Sequence, residues 1–243
     1  MVKLLLVFAF LSDAAFAQMP VRAVSSSHVT VFRPIDVDGG VTKGYLSLLE
    51  QIYETYSKRL QFGRGGRLMV RLCHDKYDFS ELTGADSLFS PLWKDRTLYI
   101  IAIDDIDQPG YRTKLETGVI KGVLDGMRYN GAPAWLVYSV AVYESGEYKG
   151  LTPPPFENVK YFSDLEEKMQ SASSATDLSD LLFYLGNTGK FLDMKFGVGS
   201  LMRLMHEFNR ETSLDAAVND AFHISVSELE RDWHQYLLSL TSS

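Results

Sequence analysis

TGVIKGVLDGMRYNGAPAWLVYSVAVYESG, residues 117–146, is the stretch that decides the fold of this 243-residue chain. Its first part continues a helix predicted from about Thr113 to Met127, because apolar residues recur there at helical spacing. They are Leu115, Val119, Ile120, Val123 and Leu124. Thr117 and Lys121 share a second side. We expect Lys121 to pair with Asp125 one turn on, which is worth only ~0.2–0.5 kcal/mol; alternatively, Lys121 receives a carboxylate ligand.

Upstream of this helix, apolar runs predict a small group of strands. They cover His28–Arg33, Leu68–Cys73 and Thr97–Ile103. A helix is predicted after the first strand, with an apolar face formed by Tyr45, Leu48, Leu49, Ile52, Tyr53, Tyr56 and Leu60. We expect a short helix or turn around Ser80–Leu82, a turn near Trp93–Arg96 and no regular structure over Gln18–Ser27.

Downstream of residue 150 the pattern changes. Pro153, Pro154 and Pro155 predict a stiff connector that cannot be helical in its interior. The remaining periodic segments all predict helices, over Tyr161–Gln170, Asp177–Tyr184, Thr188–Phe196, Val198–Asn209, Ser213–Ala221 and Ser225–Leu240. Ser213 and Ser225 are expected to cap the last two helices with their hydroxyl groups.

The order of these segments resembles the peptidase MA-like domain family, which has the gluzincin-type zinc-peptidase fold. The resemblance rests on the turn Pro133–Leu136, the following Ala141-x-Tyr143, the segment Phe79-x-x-Leu82-Thr83-Gly84 and the closing Trp233-x-x-Tyr236-Leu237. It covers nearly the whole chain after residue 17. It implies an α+β, zincin-like (thermolysin-type) fold. Residues 18–150 would form an N-terminal α+β lobe with a small mixed sheet, and residues 151–243 an all-helical C-terminal lobe.

The chain departs from this family at the zinc site. Family members carry His-Glu-x-x-His on one helix and a third ligand, Glu, on the next. The resemblance places Thr117 and Lys121 at the two histidine positions, Gly118 at the general-base position and Tyr138 at the third-ligand position. Trp135 belongs to the turn between the two helices. These five residues are the predicted vestigial cleft.

The chemistry of these side chains argues against catalysis. Proteins bind zinc through His, Cys, Asp and Glu, and a threonine hydroxyl is a poor substitute. Lys121 would place an ammonium beside a dication, and Gly118 has no base. Tyr138 could bind a metal only as a phenolate, starting from a pKa of about 10. We therefore expect no metal, no cofactor and no catalytic residue.

Other chemistry-bearing residues give weaker signals. His206-Glu207 lacks a partner histidine, because Arg210 stands at that position. The pair His74-Asp75 follows a predicted strand. A Ser-His-Asp triad stays open, although no Gly-x-Ser-x-Gly elbow is present. Cys73 is the single cysteine, so the chain cannot form an intramolecular disulfide, and we expect Cys73 to be a small buried apolar residue.

The N-terminus is typical of export. Lys3 precedes a short apolar run, and Ala15-Phe16-Ala17 matches a small-x-small cleavage site, so residues 1–17 are predicted to be a Sec signal peptide. The mature protein would be periplasmic or extracellular, with no integral membrane segment. An uncleaved anchor or a buried N-terminal strand is the alternative. A net charge of −7 and a pI of about 5.3 argue against a nucleic-acid partner.

Three functions are compatible with these sequence features. The first is an exported, catalytically inactive metallopeptidase-like protein that binds a peptide or protein partner in a cleft that persists. The second is a structural or assembly protein of the cell envelope, with the cleft filled by side chains such as Lys121 and Tyr138. The third is an active peptidase with non-standard ligands. An open or a filled cleft discriminates between the first two.

Overall fold

The computed structural model describes residues 21–61, 66–108, 110–127, 131–155, 159–208 and 213–240. Over these residues the protein is α+β, with one mixed five-stranded sheet and nine α-helices. The predicted signal peptide, residues 1–17, lies outside them. Among the described helices, we find none with the length and apolar character that crossing a membrane requires.

The sheet contains β1 (Val21–Ser25), β2 (Val29–Pro34), β3 (Leu68–Cys73), β4 (Leu92–Lys94) and β5 (Thr97–Ile101), in the order β1-β2-β3-β5-β4. The three inner strands β2, β3 and β5 are parallel, and the edge strands β1 and β4 are antiparallel to their neighbours. Val31 pairs with Val70, and Val70 pairs with Leu98. These side chains are fully buried, so one apolar row crosses the inner sheet.

The helices are α1 (Gly39–Arg59), α2 (Lys76–Thr83), α3 (Tyr111–Gly126), α4 (Ala134–Ser145), α5 (Phe162–Ser171), α6 (Ala175–Phe196), α7 (Ser200–Glu207), α8 (Leu214–Phe222) and α9 (Val226–Ser239). The predicted helical faces are confirmed for α1 and α3, whose apolar residues are buried. The predicted caps are confirmed too, since Ser213 accepts a hydrogen bond from the amide of Ala216 and Ser225 from that of Glu228.

Two edge strands were not predicted. The segment Gln18–Ser27 was expected to lack regular structure, yet Val21–Ser25 forms β1. The turn expected near Trp93–Arg96 is present at Asp95 and Arg96, and the strand β4 that precedes it was not predicted. β1 is mostly exposed and β4 is only three residues long with no fully buried side chain, so neither shows the apolar run or alternation that marks a buried strand. Backbone pairing with β2 and β5 forms them instead.

The prediction of two helices over Asp177–Phe196 was wrong, because α6 is continuous. Gly186 and Gly189 lie in its middle and make room for a close neighbour rather than ending the helix. A Cβ on Gly186 would lie 2.1 Å from Cγ of Tyr148, and one on Gly189 2.5 Å from Cβ of Tyr143. These glycines let α6 approach α4 and the turn after it closely.

Helix α4 lies at the centre of the protein and contacts α3, α5, α6 and α7. Its second residue, Trp135, is 1% exposed and stacks on Phe162 at a centroid distance of 4.1 Å. Phe162 in turn contacts Trp233 at 4.9 Å, and the Trp233 indole donates a hydrogen bond to Thr188. This aromatic cluster connects α4, α5, α6 and α9, and it fixes α4 against the C-terminal helices.

Candidate functional site

A cavity of about 280 Å³ lies where α3 and α4 face the segment before β4 and the start of α6. Four of the five residues of the predicted cleft line it: Thr117, Gly118, Lys121 and Tyr138. The fifth, Trp135, does not. It is buried in the aromatic cluster described above, because it lies at the first turn of α4 and is directed toward α5.

Apolar side chains form most of the cavity wall. They come from four places in the chain: the segment before and within β4, helix α4, helix α5 and helix α6. They are Leu88, Phe89, Pro91, Leu92, Val142, Met169, Leu178, Leu181, Leu182 and Leu185. The cavity is therefore an apolar chamber with a short polar wall, which is the usual composition of a site that holds an organic ligand.

The polar wall is built around Thr117. Its hydroxyl oxygen lies 2.5 Å from Oε2 of Glu147 and 2.8 Å from Oγ of Ser145. Glu147 lines the cavity just beyond the end of α4, and burial raises its pKa, while the hydrogen bond from Thr117 and the nearby Lys114 and Lys121 oppose that rise. Glu147 thus presents a partly buried carboxyl group to the chamber.

Lys121 is the second charged element of this wall and is only 7% exposed. Its Nζ lies 3.3 Å from the centroid of the Tyr138 ring, over the ring face. Burial lowers the pKa of Lys121 to about 7, and the charge of Glu147 acts in the opposite direction. The π-face of a tyrosine also favours the charged amine, by ~2 kcal/mol where water is excluded. A neutral and a charged Lys121 are both accessible near neutral pH.

The expected pairing of Lys121 with Asp125 is wrong. Lys121 is buried in the cavity wall, whereas Asp125 is exposed near the end of α3, and no ion pair joins them within the described residues. Neighbours at i and i+4 meet only when both side chains point along the same exposed face. Here the tertiary packing of α3 on α4 directs Lys121 inward.

Gly118 packs closely against the sheet. A Cβ at residue 118 would lie 2.7 Å from Cδ1 of Leu98 and 3.6 Å from Cβ of Pro91. Leu98 is fully buried in β5. A larger side chain at residue 118 would fit only if the Leu98 side chain moved.

The side chains at this wall do not fit a zinc ion. Zinc sites in proteins use histidine, cysteine or carboxylate ligands, usually three or four of them. Around the cavity, the described residues supply one carboxylate, Glu147, which already accepts a hydrogen bond from Thr117. The remaining ionisable groups are Lys114, Lys121 and Tyr138, and the pKa of Tyr138 is raised by burial, which disfavours a phenolate ligand.

One group elsewhere has the spacing of metal ligands. Among the described residues, donor atoms of His28, Glu50 and Glu54 lie within 4.8 Å of one another. None of them lines the cavity. Glu50 accepts hydrogen bonds from Ser26 and from the backbone and ring of His28, and His28 stacks on Tyr53. These contacts join the turn between β1 and β2 to α1, and they give His28 and Glu50 a structural role.

The pair His74-Asp75 is also structural. His74 lies 3.3 Å from a carboxylate oxygen of Asp36, and both side chains are exposed. Asp75 caps α2 by accepting hydrogen bonds from the amides of Tyr77 and Asp78. Cys73 is fully buried, and burial raises the pKa of its thiol to about 12, so it is the inert apolar residue that was expected.

Glu147 is the residue of the site that the sequence did not reveal. It lies in a turn after α4, where a glutamate is normally solvated, and no motif marks it. The sequence feature that comes closest to indicating Glu147 is its position just after the helix that carries Tyr138. Comparisons with protein-family models, with curated proteins and with solved structures gave no match.

Proposed function

We propose that this protein is an exported, catalytically inactive protein of zincin-like fold that binds a peptide or protein partner in the cavity. The observation that carries the proposal is the cavity itself. Its wall includes Thr117, Gly118, Lys121 and Tyr138, the residues that take the ligand and general-base positions in the gluzincin resemblance. The chamber has room for a ligand but lacks the donors that hydrolysis through a metal needs.

The form of the sheet supports this proposal. The edge strand β4 pairs with β5 on one side, and no further described strand pairs with its other side. Pro91 and Leu92, at the start of β4, line the cavity. An extended peptide can hydrogen bond to such an edge while an apolar side chain enters the neighbouring chamber. The edge strand β4 and the apolar chamber would together bind one segment of a partner.

The alternative of a structural protein with a filled cleft is less well supported. This alternative requires Lys121 and Tyr138 to fill the cleft, but they form one of its walls and leave about 280 Å³ free. The alternative of an active peptidase would need metal ligands or a nucleophile in this chamber. Glu147 is a lone carboxyl group there, and Gly118 has no side chain that could act as a base.

A binding experiment with a matched pair of variants tests the proposal. The protein is incubated with a peptide pool made by digesting an envelope extract, and bound and cleaved peptides are identified by mass spectrometry after gel filtration. Ala172 lines the cavity at the end of α5, so Ala172→Trp should fill it; Ala175 is exposed at the start of α6, so Ala175→Trp is the control.

We expect the unaltered protein and Ala175→Trp to retain a defined set of uncleaved peptides, and Ala172→Trp to lose them. Retention by none of the three proteins, or equal retention by all three, would contradict the proposal. Cleavage that a chelator abolishes would instead support an active peptidase. Circular dichroism of each variant checks that the fold is intact.

A further inference from the structure

Lys121 has an unusual position, because it is a buried amine that faces open space. Within the described residues its Nζ contacts the Tyr138 ring but has no hydrogen-bond or ion-pair partner. Among those residues, polar side-chain atoms that are sealed from solvent and lack a hydrogen bond belong to Arg33, Arg71, Ser139 and Glu144, and the Glu144 oxygen is ion-paired with Arg59. Nζ of Lys121 is not one of them, so it is reachable from the cavity that it lines. A buried donor without a partner costs free energy unless a ligand satisfies it.

The charges around the cavity favour an anion. Its lining groups that can carry charge are Lys114 and Lys121 on α3, Tyr138 on α4 and Glu147 after α4. The lining residues from α5, α6 and the segment before β4 are uncharged. With both lysines protonated and Glu147 ionised, the wall carries one excess positive charge. Glu147 is already engaged by Thr117, so a ligand anion is the natural partner for Lys121.

We propose that the cavity binds a carboxylate attached to an apolar group, with the carboxylate on Nζ of Lys121 and the apolar group among the leucines of α6. This inference rests on the proposed function and specifies which end of a partner enters: a C-terminal residue with an apolar side chain. A fatty acid offers the same chemistry and is the other source that the experiment must distinguish.

A carboxylate fits better than a phosphate. The single buried ammonium of Lys121 matches the single charge of a carboxylate. Phosphate sites in proteins instead use several backbone amides or the paired N–H groups of an arginine. No arginine lines the cavity among the described residues. The narrow polar wall and the long apolar wall also match a ligand with one small charged end.

Binding should take up a proton. An anion beside Lys121 favours the ammonium and therefore raises the pKa of this amine, which burial holds at about 7 in the free protein. At pH 7 about half of the free molecules lack the proton that the complex contains, and at pH 8 most lack it. The affinity for a carboxylate should accordingly fall as the pH rises above about 7.

Four small probes test the proposal: N-acetyl-leucine, N-acetyl-leucinamide, octanoate and octanamide. Titration calorimetry in two buffers with different ionisation enthalpies gives both the affinity and the number of protons taken up. The variants are Lys121→Met and, as a matched control, Lys190→Met, because Lys190 is exposed on α6 and does not line the cavity.

We expect at least one acid to bind about tenfold to hundredfold more tightly than its amide, which is the usual worth of a hydrogen bond to a charged group. Lys121→Met should abolish the preference and the proton uptake, and Lys190→Met should keep both. The acid that binds more tightly identifies the source, peptide or lipid. Equal affinity for acid and amide in the unaltered protein overturns the inference, as does a preference that survives in Lys121→Met or a lack of binding by all four probes.

The two proposals fail in different ways. If envelope peptides bind in the cavity but amidation of their C-termini changes nothing, the peptide-binding function stands and the role of Lys121 is wrong. If octanoate binds through Lys121 and no peptide binds, the carboxylate site stands and the peptide function is wrong.

Discussion

Nζ of Lys121 lies 3.3 Å from the centre of the Tyr138 ring, so the two side chains are in direct contact. In the family resemblance, each of these residues stands at the position of a zinc ligand. They come from different helices, α3 and α4, and meet at the polar wall of the cavity. An ammonium over an aromatic face is attracted by the ring, and the attraction grows where water is excluded. The contact should therefore oppose the lowering of the Lys121 pKa that burial causes.

Tyr138→Leu should lower the pKa of Lys121 further, because the ring no longer stabilises the ammonium while the apolar surroundings remain. The pH dependence of the lysine ¹³Cε signal in NMR spectra measures this pKa directly. Tyr77→Leu is the control, since Tyr77 is 72% exposed. An unchanged midpoint for Lys121 in Tyr138→Leu would show that the ring contact is not energetically important.

Glu147→Gln should act in the same direction through a different cause. The carboxylate of Glu147 raises the pKa of Lys121, and the amide that replaces it carries no charge. The amide oxygen can still accept the hydrogen bond from Thr117, so the fold should hold. The same NMR titration measures the shift, with the exposed Glu167→Gln as control. A Lys121 midpoint that moves upward in Glu147→Gln would refute this electrostatic picture.

Lys121 should also make the stability of the protein depend on pH. Its pKa is about 7 in the folded protein and near 10.5 in an unfolded chain, so between these values the unfolded state binds more protons. The free energy of unfolding therefore rises with pH across this window. Below pH 7 both states are protonated, and the cost of burying the charge is fully present.

Lys121→Met should remove that cost and raise the free energy of unfolding at pH 6 by on the order of 2–4 kcal/mol. The difference between Lys121→Met and the unaltered protein should shrink as the pH approaches 10. Urea unfolding at pH 6, 8 and 10 measures it, and Lys190→Met controls for the loss of a surface lysine. A difference that stays constant over this range would mean that Lys121 is not buried as a titrating group.

The apolar parts of this fold could be predicted well from the sequence. Strand β3 was predicted with its observed bounds, and the helical faces of α1 and α3 matched their buried sides, because a buried element must repeat its apolar residues at its own period. The edge strands β1 and β4 could not be found in this way, since their formation depends on backbone pairing with a neighbour.

The site could be predicted only in part, because its side-chain contacts, like the pairing of the edge strands, depend on neighbouring elements. Thr117, Gly118, Lys121 and Tyr138 were placed in one cleft and do line one cavity. Which neighbour each side chain touches depends on packing between helices. Local spacing therefore favoured Asp125 as the partner of Lys121, and nothing local marked Glu147 as a cavity residue or Trp135 as a buried one.

Gly118→Ala should destabilise the protein by about 1–3 kcal/mol, because the added methyl group meets Cδ1 of buried Leu98 at 2.7 Å. Gly126→Ala lies in the same helix, where the nearest atom would be 3.9 Å away, and should be neutral or stabilising by up to ~1 kcal/mol. In the background Leu98→Ala, Gly118→Ala should cost much less. Urea unfolding measures all four proteins, and equal effects of the two glycine substitutions would disprove the contact.

Gly186→Ala should lower the free energy of unfolding more than Gly118→Ala does. The added methyl group meets the base of the Tyr148 side chain, which cannot move aside as the tip of Leu98 can. The added Cβ would lie 2.1 Å from Cγ and 2.3 Å from Cβ of Tyr148, so the backbone at residue 148 must shift. Overpacking usually costs about 1–3 kcal/mol, and we expect the upper end of that range or more.

The rescue pattern distinguishes a backbone clash from a side-chain clash. Tyr148→Ala removes Cγ but keeps Cβ, so it should recover only part of the loss caused by Gly186→Ala. Tyr148→Gly removes both atoms and should recover more of it, once its own effect in the unaltered background is subtracted in a double-mutant cycle. If Tyr148→Ala restores as much stability as Tyr148→Gly, the ring alone is the obstacle, and the close approach of α6 to the turn after α4 is less tight than the structure indicates.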